Sequence, residues 1–382
     1  MSENKNRIEW IDGLRGLLTI WIMCFHYSIA FANKGFVGFA SNYPQEEFLN
    51  VFINNLPFSI FINSSFPLYL LMVLIGFIPA YKYFKDHKEE SIIRQAKKRY
   101  IRFMIPTFLS FLIGFILYHT GLLMHFKAGE VMNVKWLQSI MIVDHSFLNL
   151  LYEGLILAYV KGSQYVSTSW INGHLFIGSF ISYAILLLFG KMKNRIPVYI
   201  ALFIFFFVYD QMYICFIMGI IAADIVSSKE LNNSKTTNIF VYILIAIFGL
   251  AIGLTPDFLV PKPLQVSTLA AIGSCMIIVG ISQVKAIQHL LENKVLFAVS
   301  KCSFSAILIH VLILSSASCG QYLIMLNMGI AKEIIVPAVL LTAIPIQIIG
   351  VFLFHKLVEA VNFFVNQKMI KIEKTINLVS SK

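Results

Sequence analysis

The feature that most constrains the fold of this chain is a succession of apolar runs, each about long enough to cross a lipid bilayer. A spanning α-helix needs about 20 mostly apolar residues, within a range of roughly 17–25. Ten segments of the 382-residue chain meet or approach this length. Their bounds are 14–33, 66–84, 103–124, 169–190, 196–209, 210–228, 237–255, 266–284, 295–316 and 333–354. We therefore predict an all-α polytopic membrane protein, a bundle of about ten transmembrane helices.

The amino-acid composition excludes the main alternatives to a membrane fold. Hydrophobic residues make up 58% of the chain and charged residues only 13%, against about 45–50% and about 25% in soluble domains. A soluble globular protein and a disordered chain are therefore excluded. The five cysteines form no Cys-X-X-Cys pair, so the sequence predicts neither a disulfide framework nor a zinc site.

The distribution of positive charge predicts the orientation of the helices. The net charge is +11, but the basic residues lie between apolar runs, so a nucleic-acid partner is not predicted. With a cytoplasmic N-terminus, only six of the 30 Lys and Arg residues fall on the outer side. These six are Lys34, Lys127, Lys135, Lys161, Lys262 and Lys332. This asymmetry follows the positive-inside rule and predicts that both termini are cytoplasmic.

The segments outside the ten spans complete the predicted organisation. Residues 137–160 are too polar for a lipid-facing helix, because they include Asp144, His145 and Glu153. We interpret them as an interfacial or re-entrant helix buried against the bundle. The polar N-terminus lacks the features of a signal peptide, so the first apolar run is expected to remain as a helix. We divide the chain into a membrane domain, 1–360, and a cytoplasmic amphipathic, basic tail, 361–382.

The first span carries the most informative polar residues. Arg15 and His26 are eleven residues apart, which on one α-helix places them within about 20° of the same face and about 16 Å apart along the axis. Arg15 is predicted at the inner interface and His26 beyond the midplane. Asp12 lies one turn before Arg15 and is placed to pair with it. An ionisable group inside the membrane indicates function by default. The alternative for His26 is a structural role, in which it only forms a hydrogen bond between two helices.

These residues also support a resemblance to a known family. The stretch Asp12-Gly-Leu-Arg15-Gly16, followed by ten residues and His26, resembles the opening of the acyltransferase 3 family. Further stretches resemble later motifs of that family, in the same order. They are Lys97–Pro106, Trp170–Ser179, Tyr213–Asp224 and Lys301–His310. The resemblance extends over nearly the whole chain and implies a bundle of about ten helices.

The resemblance implies a membrane O-acyltransferase. The donor would be cytosolic acyl-CoA, most simply acetyl-CoA, and no cofactor would be permanently bound. The acceptor would be a hydroxyl of an envelope or exported glycan, or of its lipid-linked precursor. Arg15, Arg99 and Arg102 would hold the donor, because guanidinium groups bind phosphates bidentately, although snorkelling to lipid phosphates is the alternative. His26 would be the catalytic residue, either as the base that activates the hydroxyl or as a carrier of the acyl group.

Some positions depart from the family pattern. The glutamate that usually follows the tryptophan by five residues is replaced by Leu175, with His174 beside it. His174 either takes over the polar role or caps the start of the fourth span. His310 matches a family position, so Asp12, His174 and His310 are the auxiliary candidates. No His pair with a carboxylate set is present, so no metal is expected. The missing glutamate also leaves open a catalytically inactive family member that acts as a membrane partner.

A transporter or flippase is the alternative of a different class. In that case the polar residues of the spans would line a pathway through the membrane. Transporters often carry inverted repeats with broken helices in matching halves, and no such repeat is visible in this sequence. No sequence feature marks an organelle, so the expected location is a cell membrane, most simply the bacterial cytoplasmic membrane.

Overall fold

The computed structural model describes residues 8–32, 65–231, 238–255 and 259–380, and their secondary structure is helical. Lys34 and the last two residues of the predicted tail lie outside the described residues. The longer α-helices are α1 (Glu9–Tyr27), α2 (Ser65–Asp86), α3 (Glu89–His119), α4 (His125–Met132), α5 (Lys135–Ser139), α6 (Phe147–Tyr152), α7 (Asn172–Phe189), α8 (Ile196–Tyr209), α9 (Ile214–Leu231), α10 (Ile239–Gly253), α11 (Val266–Ile281), α12 (Lys285–Leu291), α13 (Lys294–Ile313), α14 (Cys319–Asn327) and α15 (Lys332–Ser380).

Seven helical stretches within the described residues are long and apolar enough to cross a membrane. They are Glu9–Phe31, Ser65–Asp86, Glu89–His119, Ser167–Phe189, Gln211–Ser228, Lys294–Asn327 and Lys332–Lys368. Helices α11 and α12, which meet at a bend of 105°, make an eighth if they form one broken span. The other two predicted spans correspond to α8 and α10, with 14 and 15 residues. The all-α polytopic fold is therefore confirmed, whereas the count of ten and the cytoplasmic position of both termini stay predictions.

The predicted interfacial helix at 137–160 is divided in the structure. Helix α5 ends at Ser139, and α6 begins only at Phe147. The Ser146 hydroxyl caps α6 by accepting a hydrogen bond from the amide of Asn149 at 3.3 Å. Because the polar side chains of this stretch bind the local backbone, they favour a turn over a continuous helix.

Three π turns interrupt or extend helices among the described residues. They are Ser28–Ala32 after α1, Glu153–Leu157 after α6 and Leu314–Ser318 after α13. A π turn replaces the usual helical hydrogen bonds with bonds between residues five apart. In two of these turns a backbone carbonyl also accepts a hydrogen bond from a residue outside the turn. The Tyr100 hydroxyl donates to the Leu155 carbonyl at 2.8 Å, and the Met124 amide donates to the Ser315 carbonyl at 2.9 Å. Such turns occur frequently at functional sites.

The described residues form two compact units. Unit 1 comprises the described parts of Met1–Lys97, Tyr159–Gly162 and Ile171–Ser303. Unit 2 comprises those of Lys98–Ala158, Ser163–Trp170 and Phe304–Lys382. Helix α15, in unit 2, continues without a break from Lys332 to Ser380.

Glycines bring the helices of unit 1 close together. A Cβ added at Gly76 of α2 would overlap the Phe216 carbonyl of α9, and one at Gly219 of α9 would overlap the Val73 carbonyl of α2. Gly249 of α10 meets α11 in the same way. Small residues are the usual means by which membrane helices approach each other at backbone distance.

An ion pair joins two helices at one end of unit 1. Arg195, just before α8, donates from Nε and Nη2 to the two carboxylate oxygens of Asp224 in α9, at 2.8 and 2.6 Å. The Tyr199 hydroxyl donates to the same carboxylate at 2.8 Å, and the guanidinium lies over the Phe84 ring at 4.6 Å. This bidentate geometry is the strong form of an Arg–carboxylate pair.

We expect Asp224→Asn to destabilise the protein by about 2 kcal/mol, the order of hydrogen bonds to charged groups. The amide would lose the charge that faces Arg195 and one of its two acceptor oxygens. Thermal unfolding of the purified protein in detergent measures the effect. Glu90→Gln, which neutralises an exposed carboxylate of α3, is the matched control. Equal unfolding temperatures for the two variants would show that the pair contributes nothing.

Candidate functional site

Helix α1 lies directly on the backbone of α12 and α13 in unit 1. A Cβ added at Gly13 would overlap the Leu291 carbonyl, and one at Gly16 would overlap the Leu296 carbonyl. These two glycines therefore provide the close approach that positions Arg15, which lies between them in the sequence.

Arg15 is held by a set of short polar contacts. Its Nη2 donates to the Ser300 carbonyl oxygen of α13 at 2.9 Å and lies 3.2 Å from the Asp12 carboxylate. The predicted pairing of Asp12 with Arg15 is thereby confirmed. Asp12 is nearly buried, with a side chain 10% exposed, whereas the Arg15 side chain is 30% exposed. A partly exposed, pre-oriented guanidinium is able to receive an anionic ligand.

His26 lies further along the same uninterrupted helix, two residues before the first π turn. Its Nδ1 is 2.8 Å from the Ile22 carbonyl oxygen. A carbonyl only accepts hydrogen bonds, so Nδ1 carries the proton and, in the neutral ring, Nε2 carries the lone pair. The ring is half-buried and contacts the edge of Phe25, with 5.2 Å between ring centroids. The contact with Ile22 favours the tautomer in which Nε2 is the basic nitrogen of the neutral ring.

The other two predicted donor-binding residues belong to unit 2, on α3. The Arg99 guanidinium stacks over the Phe103 ring at 4.2 Å, and Phe103 packs on Phe304 of α13 at 4.8 Å. Arg102 is exposed. Stacking on an aromatic ring orients an arginine without neutralising it.

His310 is fully buried in unit 2. Its Nδ1 donates to the Ala306 carbonyl at 2.8 Å, and its own carbonyl accepts from the Gln347 amide of α15 at 2.9 Å. The residue therefore takes part in the packing of α13 and α15, and its auxiliary role stays a prediction.

A second histidine of unit 2, His355, contacts both a hydroxyl and a carboxylate, although its position in the sequence indicated no particular role. His355 lies within α15, 3.2 Å from the Ser305 hydroxyl through Nδ1 and 3.4 Å from the Glu359 carboxylate through Nε2. The Glu359 contact has i,i+4 spacing, which was visible in the sequence. The Ser305 contact spans 50 residues and was not.

His174 does not cap the fourth span, because neither of its ring nitrogens is bonded to the backbone at the start of α7. Its Nε2 instead lies 3.1 Å from the Asp210 carboxylate. The ring also packs beside Tyr213, with 5.4 Å between centroids. Asp210 is the residue that sequence reasoning missed, since the sequence indicated only a helix break at 209–211. Leu175, in place of the usual glutamate, is buried.

The turn that carries Asp210 is fixed by its own bonds. Asp210 accepts from the Met212 amide at 3.0 Å. The buried Gln211 donates to the Pro263 carbonyl at 2.8 Å. It also accepts from the Gln265 amide at 2.8 Å and from the Thr268 hydroxyl at 2.7 Å. The Asp210 carboxylate is thus part of a rigid connection between α8 and α9.

No group of three His, Cys, Asp or Glu side chains within the described part of the chain is arranged to hold a metal ion.

The model of the acyltransferase 3 family, described as an acyltransferase domain, matches residues 8–355. No curated protein and no solved structure matches the chain. The matched region includes Arg15, His26, His174 and His310.

Proposed function

Because this chain belongs to the acyltransferase 3 family, we propose that it transfers an acyl group, most simply acetyl, from cytosolic acyl-CoA to an acceptor hydroxyl. The acceptor is a hydroxyl of an envelope or exported glycan, or of its lipid-linked precursor. The proposed location is a cell membrane, most simply the bacterial cytoplasmic membrane. Family membership supports a membrane acyltransferase, and the donor and the acceptor are parts of the proposal.

The single observation that carries the proposal is the favoured tautomer of His26. Its Nδ1–H bond to Ile22 leaves the Nε2 lone pair as the basic site. In the proposed reaction this nitrogen removes the hydroxyl proton as the oxygen attacks the thioester carbonyl carbon. The carbon–sulfur bond then breaks, and the CoA thiolate leaves and recovers the proton from His26. The products are an O-acyl ester and free CoA.

Arg15 is the proposed anchor for the negative charge of the donor. Its guanidinium is held by Asp12 and Ser300 and remains partly exposed. Arg99 and Arg102 keep their predicted role of binding donor phosphates. A planar guanidinium forms paired hydrogen bonds to phosphate oxygens, which a lysine ammonium does not.

Release of free CoA from acetyl-CoA tests this function directly. The full-length protein is reconstituted in nanodiscs, with an envelope glycan extract as acceptor. We expect Arg15→Ala to raise the KM for acetyl-CoA about tenfold or more, the order of one lost charge-assisted hydrogen bond, and Arg15→Lys to recover only part of this loss. Arg94→Ala, which removes an exposed arginine of α3, is the control.

The other outcomes point to the alternative functions. Binding of acetyl-CoA without release of CoA would favour a catalytically inactive family member. Neither binding nor release would remove the donor-site proposal and favour a transporter. An unchanged KM in Arg15→Ala, with normal turnover, would assign Arg15 to the structure of α1 alone.

A further inference from the structure

The contact between His174 and Asp210 has the form of a histidine–carboxylate dyad. The carboxylate only accepts hydrogen bonds, so the proton on His174 lies on Nε2, 3.1 Å from the Asp210 oxygen. In the neutral ring, Nδ1 therefore carries the lone pair. A carboxylate behind a histidine holds its tautomer and orientation, as in hydrolytic triads.

The other ring nitrogen of His174, Nδ1, has no carboxylate or other hydrogen-bond partner among the described residues. This nitrogen is buried. A buried acceptor without a partner is unfavourable by about 1–3 kcal/mol. The side chains of His174 and Asp210 are nonetheless 22% and 31% exposed, so the pair lies near the surface of unit 1 and a small rotation of the ring would bring Nδ1 within reach of a ligand. A ligand that donates a hydrogen bond to Nδ1 would relieve this cost.

The chemistry of the dyad selects the kind of ligand. Both the Asp210 carboxylate and the Nδ1 lone pair repel an anion and attract a hydrogen-bond donor. The Tyr213 ring, with its centroid 5.4 Å from that of His174, adds an aromatic surface beside the polar pair. A hydroxyl on a partly apolar ring, as in a sugar, matches this combination.

The position of the dyad in unit 1 agrees with such a ligand. Helix α7 runs from His174 to its end near Gly190, which packs on Tyr83 close to the end of α2. His174 therefore lies toward the opposite end of α2, near Phe66 in its first turn. Trp21 of α1 packs on Phe66 at 6.2 Å, and His26 follows Trp21 by about one and a half turns. His26 and His174 thus lie toward the same end of unit 1.

We propose that His174 is an acceptor-binding residue, whose Nδ1 receives a hydrogen bond from an acceptor hydroxyl, and that Asp210 is its positioning residue. This inference rests on the proposed O-acyltransferase function and assigns the acceptor side of the same reaction. The hydroxyl bound by His174 is distinct in role from the one deprotonated by His26.

Three substitutions separate binding of the acceptor from a purely structural role of the His174–Asp210 contact. His174→Gln retains an amide near the Nε2 position, so it keeps the bond to Asp210 and removes the Nδ1 acceptor. His174→Asn retains an amide near the Nδ1 position and loses the bond to Asp210. Asp210→Asn keeps the size of the carboxylate but no longer enforces the tautomer. His289→Gln, at a side chain that is 90% exposed in α12, is the matched control.

CoA release is measured in nanodiscs while acetyl-CoA and the envelope glycan extract are varied separately. We expect His174→Gln to raise the acceptor KM about tenfold, the size of one lost hydrogen bond, with the acetyl-CoA KM and the unfolding temperature unchanged. Asp210→Asn should raise the acceptor KM to a similar extent. His289→Gln should match the wild type.

The results also distinguish the failure of this inference from that of the proposed function. A wild-type protein that releases no CoA would remove the proposed function and, with it, this acceptor site. Normal wild-type turnover with an unchanged acceptor KM in His174→Gln would overturn the inference alone. A loss of stability in His174→Asn that His174→Gln restores, without any change in the acceptor KM, would assign the dyad to structure.

Discussion

His26→Ala is expected to lower the rate of CoA release by about 10²–10⁴-fold, the contribution of a general base, while acetyl-CoA still binds. The imidazole is the group that accepts the hydroxyl proton in the proposed reaction, and no other side chain on α1 near that position replaces it. Single-turnover measurements with saturating acetyl-CoA and glycan extract report the chemical step directly.

Two comparisons make the His26 prediction decisive. His289→Ala removes an exposed imidazole of the same unit and should leave the rate unchanged. His26→Gln preserves much of the side-chain volume but offers no basic nitrogen, so it should be as slow as His26→Ala. Near-wild-type turnover in His26→Gln would show that His26 does not act as a base.

Gly16→Val should have the largest effect on stability. A side chain at Gly16 would overlap the Leu296 carbonyl, so α1 would have to move away from α13. Overpacking of this kind costs about 1–3 kcal/mol, and here the obstacle is backbone, which adjusts less readily than a side chain. We expect a lower unfolding temperature and a reduced yield of monodisperse protein.

Gly320→Val is the control, because the nearest atom to an added Cβ at that helical glycine is Met124 Cγ at 3.8 Å. The milder Gly16→Ala should fold and should raise the KM for acetyl-CoA, since displacement of α1 separates Arg15 from Ser300. A folded Gly16→Ala with an unchanged KM would contradict the link between this close approach and the donor site.

The parts of the structure that depend on local sequence were predictable. The apolar runs became helices because length and hydropathy are properties of each segment alone. The Asp12–Arg15 pair followed from i,i+3 spacing. The break at 209–211 was also visible, because Asp210 ends an otherwise apolar run.

Contacts between distant segments were not predictable from one sequence. His174 and Asp210 are 36 residues apart, and their meeting depends on how α7 and the turn before α9 pack. The pairing of Ser305 with His355 likewise requires α13 and α15 to lie side by side. Leu175, in place of the usual glutamate, is buried, and the carboxylate that contacts the neighbouring His174 comes from Asp210 in another segment.

The π turns make the chain sensitive to length as well as to residue identity. Each residue of an α-helix rotates the side-chain direction by about 100°, so a turn with an extra residue sets the angular phase of everything beyond it. Deleting one residue within Glu153–Leu157 or Leu314–Ser318 would rotate the outgoing helix to a different face. The Leu155 and Ser315 carbonyls would then turn away from Tyr100 and Met124. Single-residue deletions therefore test whether the rotation of the helix after each π turn matters, which substitutions do not change.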